Sequence, residues 1–293
     1  MLYYWIPGLK KMHFNYKADL VKNKFALVGL FMTVLLIIVA IFASWLAPYD
    51  PWEYQGEPLG GISREHPLGL NDIGQDILSE LVYSARNSLS LGISVSLLAT
   101  LIAVIMGLSA AASRGVWKRI VLRLIDLFLC VPEFLPALLL ASYVRPGFFT
   151  LILFLAVLMW PQGARLVFMQ ASVLLKSGHL LAAEAFGASK KYILIRHLLP
   201  ELFPILLVLL VQFLRLCIFM EVGLAFMGVL DTGVKSWGTM FHHAGQFLYG
   251  DIWVRWLLPT GLVVTWAITG FSLLGYAAEE LIDPRLRKES KNY

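Results

Sequence analysis

The sequence predicts an all-α membrane protein that crosses the bilayer several times, and composition is the first observation behind this prediction. Hydrophobic residues make up 59% of the 293 residues, charged residues make up 15%, and the mean hydropathy is +0.74. A soluble domain carries about 25% charged residues. Several apolar runs also reach the roughly 20 residues that an α-helix needs to cross the hydrocarbon core. Lipid is therefore the expected solvent for most of the chain.

Six membrane-spanning helices are predicted from apolar runs that end at breaker residues or polar segments. The first run ends at "PYDP" and is predicted to be retained, because it is too long for a signal peptide and lacks a small-x-small cleavage site. The third run carries Asp126, Pro132 and Glu133. The membrane domain is predicted at residues 25–280, with spans at 25–47, 88–112, 120–143, 148–168, 202–228 and 256–278.

The distribution of Lys and Arg predicts the orientation of these spans. Most of the 24 basic residues lie in the N-terminal segment 1–24, the connection between spans two and three, the loop 169–200 and the tail 281–293. Basic residues accumulate on the cytoplasmic side of membrane proteins. Both termini and the loop 169–200 are therefore predicted to be cytoplasmic. The loops 48–87 and 229–255 are predicted to lie on the other side.

Several function classes have no support in the sequence. The chain has no "GxxxxGK[ST]", "HExxH" or "GxSxG" motif, so it is predicted not to be an enzyme and to bind no cofactor itself. The net charge of +5 is explained by the Lys and Arg residues of the predicted cytoplasmic segments. The chain has no basic cluster typical of nucleic-acid binding. Cys130 and Cys217 are predicted to be small buried hydrophobes. The adjacent His242 and His243 diverge on a helix and are not expected to share a metal ion.

The loop before the fifth span has a pattern of its own, "AAEAFGASKKYILIRHLLP". It predicts a helix, an abrupt turn at Gly187, a second helix with one apolar side, and a stop at Pro200. Such a helix pair on the cytoplasmic face is predicted to dock a partner. The alternative is a re-entrant loop that lies at the membrane interface.

This loop resembles the EAA loop of ABC-transporter permeases, in which EAA is followed by three residues, a glycine and an HxLP-like end. The segment "HPLGLNDIGQDILSELVYSARNSLSLG" resembles the part that follows the first span in the dipeptide, oligopeptide and nickel permeases. In the same order, "PYDPWE", "WPQGARLV", "AFMG…SWGTM" and "LLGYAAEELIDPRLR" also resemble that family. The resemblance covers about residues 18–288, and the "DPRLR" end is similar to the shorter of two paired permeases.

The resemblance implies a type I ABC importer permease that works by alternating access in a bacterial cell membrane. Implied partners are a homologous second permease, one or two ATPase subunits that hold ATP and Mg²⁺, and an extracytoplasmic binding protein. Implied substrates are short peptides, or nickel or another metal as a chelate. The residues that would couple to the ATPase are Leu181, Ala182, Ala183, Glu184, Gly187, Ala188, Ser189, His197 and Pro200.

Two positions depart from the family pattern. Aligned on Gly187, the EAA triplet falls on 181–183, where no acid stands. Glu184 follows, on a helix face rotated by roughly 60°, and either replaces the missing acid or is a solvated surface charge. Gln75 stands where the outer loop usually has arginine. The outer-loop residues interpreted as structural are Gly69, Gly74, Asp76 and Arg86.

Ionisable residues inside spans usually mark a pathway or a charge pair. Glu133, Arg215 and Glu221 are the pathway candidates, and Arg215 would meet an anionic group such as a carboxylate. The alternative is that Glu133 or Glu221 pairs with Arg215 and fixes the packing of the third and fifth spans. Asp126 lies seven residues before Glu133, so the two are predicted to share a helix face. Asp126 is expected to pair with Arg119 or Arg123.

Two other function classes remain open from the sequence. A self-sufficient secondary transporter or channel would need no ATPase, but the sequence has no visible inverted repeat. A receptor or scaffold would leave the loop 169–200 unexplained. The leading prediction is therefore a permease subunit of an importer.

Overall fold

The structure is a computed structural model that describes residues 23–144, 146–230 and 233–282, without the side chains of 281 and 282. The remainder of the predicted cytoplasmic ends, residues 1–22 and 283–293, lies outside this range. The described chain is helical and has no β-strand, which confirms the all-α prediction. In chain order the helices are α1 (Lys24–Ile41), α2 (Ala43–Leu46), α3 (Ile77–Ala112), α4 (Val116–Leu129), α5 (Phe134–Val144), α6 (Phe148–Leu174), α7 (Gly178–Ala185), α8 (Lys190–Phe226), α9 (Trp237–Ala244), α10 (Ile252–Arg255) and α11 (Leu257–Ile282).

Five segments of the described chain are long and apolar enough to cross a membrane. They are α1, α3, α6, α8 and the stretch Ile252–Glu280 that joins α10 to α11. α4 and α5 pass the same test only as a pair bent by 81°, and the chain has six candidate spans if this pair is one broken span. The architecture is therefore that of a polytopic helical membrane protein.

The second span is longer than predicted, because α3 begins at Ile77 rather than at residue 88. Asp76 starts the helix by accepting hydrogen bonds from the backbone N–H and the hydroxyl of Ser79, both at 2.7 Å. With 36 residues, α3 is about 54 Å long, well beyond the roughly 30 Å hydrocarbon core. Its first three turns carry polar residues that bind other loop segments, so hydropathy alone did not predict them.

The prediction of one helix over 120–143 is wrong, because this stretch forms the bent pair α4 and α5. α4 ends at Leu129 and α5 starts at Phe134, with Pro132 between them. Proline has no backbone N–H and its ring clashes with the preceding helical turn, so it favours a kink or a break at this point. Cys130 at the break is exposed, contrary to prediction, whereas Cys217 is buried as predicted.

Because of this break, Asp126 and Glu133 do not share a helix face. Asp126 pairs with Arg165 of α6 at 3.3 Å and not with Arg119 or Arg123. The expected short-range pair is therefore wrong, and the observed pair links α4 to α6. Both of its side chains are about half exposed.

The fifth span also starts earlier than predicted, at Lys190 rather than at residue 202. The predicted stop at Pro200 is wrong, because the helix continues through it. A π-helical turn covers Ile193–Leu198, and the Leu199 N–H bonds to the carbonyl of Leu194, five residues back. This wider turn lies directly before the proline, whose ring would crowd a regular α-helical turn. The loop helix and the span are consequently one continuous helix.

Small residues bring α3 and α6 into close contact. A Cβ added at Gly107 would lie 2.7 Å from the carbonyl oxygen of Ala164, and one added at Gly163 would lie 2.9 Å from the Cβ of Ala103. Small side chains let membrane helices approach closely and pack without a hydrophobic driving force. α8 contributes Phe213 to the same contact, since its ring also lies against Gly163. α3, α6 and α8 thus form the centre of the described chain.

Candidate functional site

Two groups of candidate functional residues lie at opposite ends of α8. α7 and the turn 186–189 precede α8 at Lys190, and α9 follows it after Phe226. We call these the α7 end and the α9 end of the molecule. Arg215 lies between them, whereas Glu221 lies near the α9 end.

The α7 end combines a firm anchor with an exposed apolar surface. Leu180 and Ile193 are buried and fix α7 and the π-helical turn to the rest of the chain. His179 also hydrogen-bonds Glu201 of α8 at 2.7 Å. Phe186 at the tip is 91% exposed. The other exposed large apolar side chains here are Leu181, Tyr192 and Ile195.

Gly187 makes the turn between α7 and α8. Its φ of +87° lies in the left-handed region that favours glycine. The N–H groups of Gly187 and Ala188 close the end of α7 by bonding to the carbonyls of Glu184 and Ala183, both at 3.0 Å. Ser189 then caps α8 by accepting the Tyr192 N–H at 3.3 Å. These bonds hold the tip in one conformation.

The other predicted coupling residues are placed as follows. Leu181, Ala182 and Glu184 are exposed on α7, and Ala183 is partly buried. Glu184 has no ion-pair partner among the described residues. His197 packs against the ring of Tyr192, with 5.4 Å between ring centroids. Pro200 lies inside α8, just after the π-helical turn, and is not part of a loop.

The three charges predicted to line a pathway are not brought together. Glu133 accepts a hydrogen bond from Gln162, and Glu221 accepts one from Ser236. Arg215 is exposed, and its one hydrogen bond to another described residue is a long one of 3.4 Å to the hydroxyl of Ser272. The interpretation that Arg215 pairs with Glu133 or Glu221 is therefore wrong for this structure.

The position of Arg215 along α8 is unusual for a charged residue. It lies about three helical turns, or roughly 16 Å, from the end of the helix at Phe226, close to half the hydrocarbon thickness. Its neighbours on the exposed face of α8 include Leu207 and Phe219. A guanidinium at this depth is costly in lipid and needs water or a polar partner.

At the α9 end, the predicted structural residues lie in the loop 47–76 and the start of α3. Asp76 is fully buried and also binds His66 at 2.9 Å. Gly69 and Gly74 have φ values of +80° and +76°. Cβ atoms added there would clash with the carbonyl oxygens of Gly60 and Gly56, respectively. Arg86 is exposed and reaches the hydroxyl of Ser44 at 3.5 Å.

A buried lysine that was not predicted from the sequence lies at the same end. The ammonium group of Lys235 donates to Glu80 at 3.0 Å and to Gln75 at 2.5 Å. It also lies over the ring of Trp52, 5.0 Å from the centroid. The Lys235 side chain is 9% exposed and that of Glu80 is 5% exposed, so the pair is buried. Gln75 thus accepts a bond from a distant lysine at the position where the family pattern has arginine.

A second buried cation closes the same loop. Arg255 is 5% exposed, and its guanidinium donates to the carbonyls of Leu59, at 2.8 Å, and Gly60. Neither contact could be predicted from local sequence, because the partners are far apart in the chain: Lys235 and Glu80 are 155 positions apart, and Arg255 and Leu59 are 196 positions apart. The one hint of a buried cation was Gln75, which stands next to Asp76 where the family pattern has arginine.

The described chain thus combines five or six candidate spans with an exposed arginine on α8 and exposed apolar side chains at one end. The profile of binding-protein-dependent transport system inner membrane components matches residues 99–288. A second profile, the N-terminal transmembrane domain of oligopeptide transport permease C, matches residues 18–58. The chain therefore belongs to the family of binding-protein-dependent transport system inner membrane components, and the predicted family is confirmed.

Curated relatives match almost the whole chain. The oligopeptide transport system permease protein OppC of Bacillus subtilis strain 168 is 31% identical over 91% of this chain and 87% of its own length. The dipeptide transport system permease protein DppC of the same strain is 29% identical over 96% of this chain and 89% of its own. The glutathione transport system permease protein GsiD of Escherichia coli O157:H7 is 28% identical, with 91% and 88% covered. The chain is similar to all three.

Proposed function

We propose that this chain is a permease subunit of an ATP-driven importer, which forms one half of an alternating-access pathway with a homologous second permease. The observation that carries the proposal is the α7 end, where Phe186 and Tyr192 are exposed while Leu180 anchors the helix. An exposed apolar patch on a well-anchored element is typical of a docking surface. Its proposed partner is an ATPase subunit, which supplies the ATP and Mg²⁺ that this chain is not expected to bind.

The proposed orientation places the α7 end and both termini in the cytoplasm of a bacterial cell. Basic residues concentrate at that end, in the connection around 114–123 and in 176–196. The α9 end then faces outward and would receive an extracytoplasmic binding protein. Reporter fusions after Ala47 and after Ser177 test this arrangement. Alkaline phosphatase activity is expected only for the first fusion, and the opposite pattern would contradict the orientation.

The proposed substrates are short peptides, with a nickel or other metal chelate as the alternative. The three relatives are named for oligopeptide, dipeptide and glutathione transport, and all of these substrates carry carboxylates. Arg215 is the proposed contact for such a group, because it is exposed at mid-span and has only the long bond to Ser272 within the described chain. Glu133 and Glu221 are already hydrogen-bonded within the chain and are less suited to this role.

The test is uptake into proteoliposomes that contain this permease with its co-encoded permease, ATPases and binding protein. Radiolabelled dialanine, glutathione and nickel with histidine are the probes. ATP-dependent uptake of a peptide probe is expected. Arg215→Met should lower it by about tenfold, since a lost charged contact costs 1.4 kcal/mol or more. The matched Arg119→Met at the exposed end of α4 should have little effect. Uptake by this chain alone and without ATP would instead indicate a secondary transporter or channel.

A further inference from the structure

The segment Lys235–Gly238 connects α3 with α8 at the α9 end, and we call it the 235–238 strap. Its central residue, Trp237, is fully buried in a cluster that includes Leu89 of α3 and Ile218 of α8. Polar groups of the strap bind to both helices. The strap therefore joins two spans that come from different parts of the chain.

On the α3 side, the strap is held over about two turns of helix. The side chain of Asn87 donates to the Lys235 carbonyl at 2.6 Å, and the Ser88 hydroxyl accepts the Trp237 N–H at 3.0 Å. The Lys235 ammonium group donates hydrogen bonds to Glu80 in the first turns of α3 and to Gln75 in the preceding loop. Each of these bonds lies in a buried or partly buried setting, where an unpaired polar group would be costly.

On the α8 side, the acidic side chain of Glu221 binds the strap, in addition to the apolar packing of Trp237 in the cluster with Ile218. Glu221 is 3% exposed and accepts a hydrogen bond from the hydroxyl of Ser236. Its Oε1 atom lies so close to Gly238 that a Cβ added there would come within 2.5 Å of it. The same added Cβ would lie 2.9 Å from the Cβ of Ala225, also on α8. The fit between Glu221 and the strap therefore requires glycine at position 238.

α8 is one continuous helix of 37 residues from Lys190, beside the Gly187 turn, to Phe226. Such a helix is about 55 Å long. We propose that Glu221 is a positioning residue for transport, which fixes the strap to α8 so that α8, α3 and the loop 47–76 move as one body. A displacement of the α7 end by an ATPase would then reach the opposite end of the molecule. This inference rests on the proposed docking of an ATPase at α7, and packed side chains and rigid helices are one physical route by which distant sites couple.

The experiment measures whether the α9 end responds to ATP in the assembled complex. A reporter cysteine is placed at Leu248, which is 62% exposed after α9, in a Cys130→Ser background that removes the exposed native thiol. The rate of maleimide labelling is compared with and without ATP and vanadate, alongside uptake of radiolabelled dialanine and ATP hydrolysis. The variants are Glu221→Ala, Glu221→Gln and Gly238→Ala. Gly61→Ala is the matched control, because an added Cβ there meets nothing within 4 Å.

The parent complex is expected to show a labelling rate that depends on ATP. Glu221→Ala and Gly238→Ala should abolish this dependence and lower uptake by about tenfold while ATP hydrolysis continues, an effect in the usual range for coupling between sites. Glu221→Gln keeps an acceptor for Ser236 and should retain most of both signals. Gly61→Ala should behave like the parent.

Normal ATP-dependent labelling and uptake in Glu221→Ala and Gly238→Ala would overturn the inference. A lower yield of complex with normal activity per complex would also overturn it, because the role would then be structural only. Should Glu221→Ala not assemble, Ser236→Ala removes one hydroxyl and decides by the same criteria. Absence of ATP-dependent uptake of dialanine, glutathione and nickel with histidine in the parent complex would instead contradict the proposed importer function.

Discussion

The two ends of α8 differ in which side chains they bury and which they expose. At the α9 end, two cations are buried: Lys235 against Glu80, and Arg255 against backbone carbonyls of the loop 47–76. At the α7 end, large apolar side chains such as Phe186 are exposed. The first end pairs these buried charges within the described chain, whereas the second exposes apolar side chains at the tip of an anchored turn. The contrast is therefore between cations that are paired within the described chain and an apolar tip that we propose is covered by an ATPase subunit.

The largest expected effect on stability comes from breaking the buried pair at the α9 end. Lys235→Met should lower the free energy of unfolding by roughly 3–5 kcal/mol, because Glu80 remains buried without its partner. Thermal unfolding of the purified protein in detergent micelles measures this. Lys190→Met, at an exposed lysine of the α7 end, is the control and should change stability little. Equal stabilities of the two variants would remove the contrast between the ends.

A smaller change in stability, but a large loss of transport, is expected at Gly187. Leucine at a φ of +87° costs about 1–3 kcal/mol of local strain, so Gly187→Leu should distort the tip while the chain still inserts. Uptake in the assembled complex should fall at least about tenfold. Gly178→Leu makes the same change where φ is ordinary and an added Cβ meets nothing within 4 Å. Equal uptake by both variants would argue against a role for the turn.

The smallest effect is expected at Glu184. This side chain is exposed and has no ion-pair partner among the described residues, so Glu184→Gln should change stability by less than about 0.5 kcal/mol. Its effect on uptake separates the two interpretations of the displaced acid. We expect less than about a twofold change, as for a surface charge worth a few tenths of a kcal/mol. A tenfold loss would show that Glu184 makes an ionic contact with the ATPase.

The sequence predicted the helical class and the family because apolar runs and ordered motifs are local signals. The start of α6 at Phe148 coincides with the prediction for the same reason. Predictions failed where a polar residue hydrogen-bonds to a partner that is distant in the chain. They also failed where the effect of a proline on its helix depends on the surrounding structure. Glu80 and Asn87 made the first turns of α3 look like a loop, although both bind Lys235.

The two prolines illustrate the second kind of failure. Pro132 breaks the third span into helices bent by 81°, although the surrounding run is apolar enough for one helix. Pro200 was expected to end a helix, but the π-helical turn before it lets α8 continue. Local sequence identifies a proline as a disturbance. Whether the disturbance ends, bends or only widens a helix depends on packing against other elements.

The most direct test of the contrast between the two ends is site-specific photo-crosslinking in the assembled complex. A benzoylphenylalanine replaces either Phe186 at the α7 end or Phe149 at the start of α6, which are 91% and 84% exposed. We predict a crosslink from position 186 to an ATPase subunit and none from position 149. A complex that transports its substrate without any ATPase crosslink at position 186 would contradict the account.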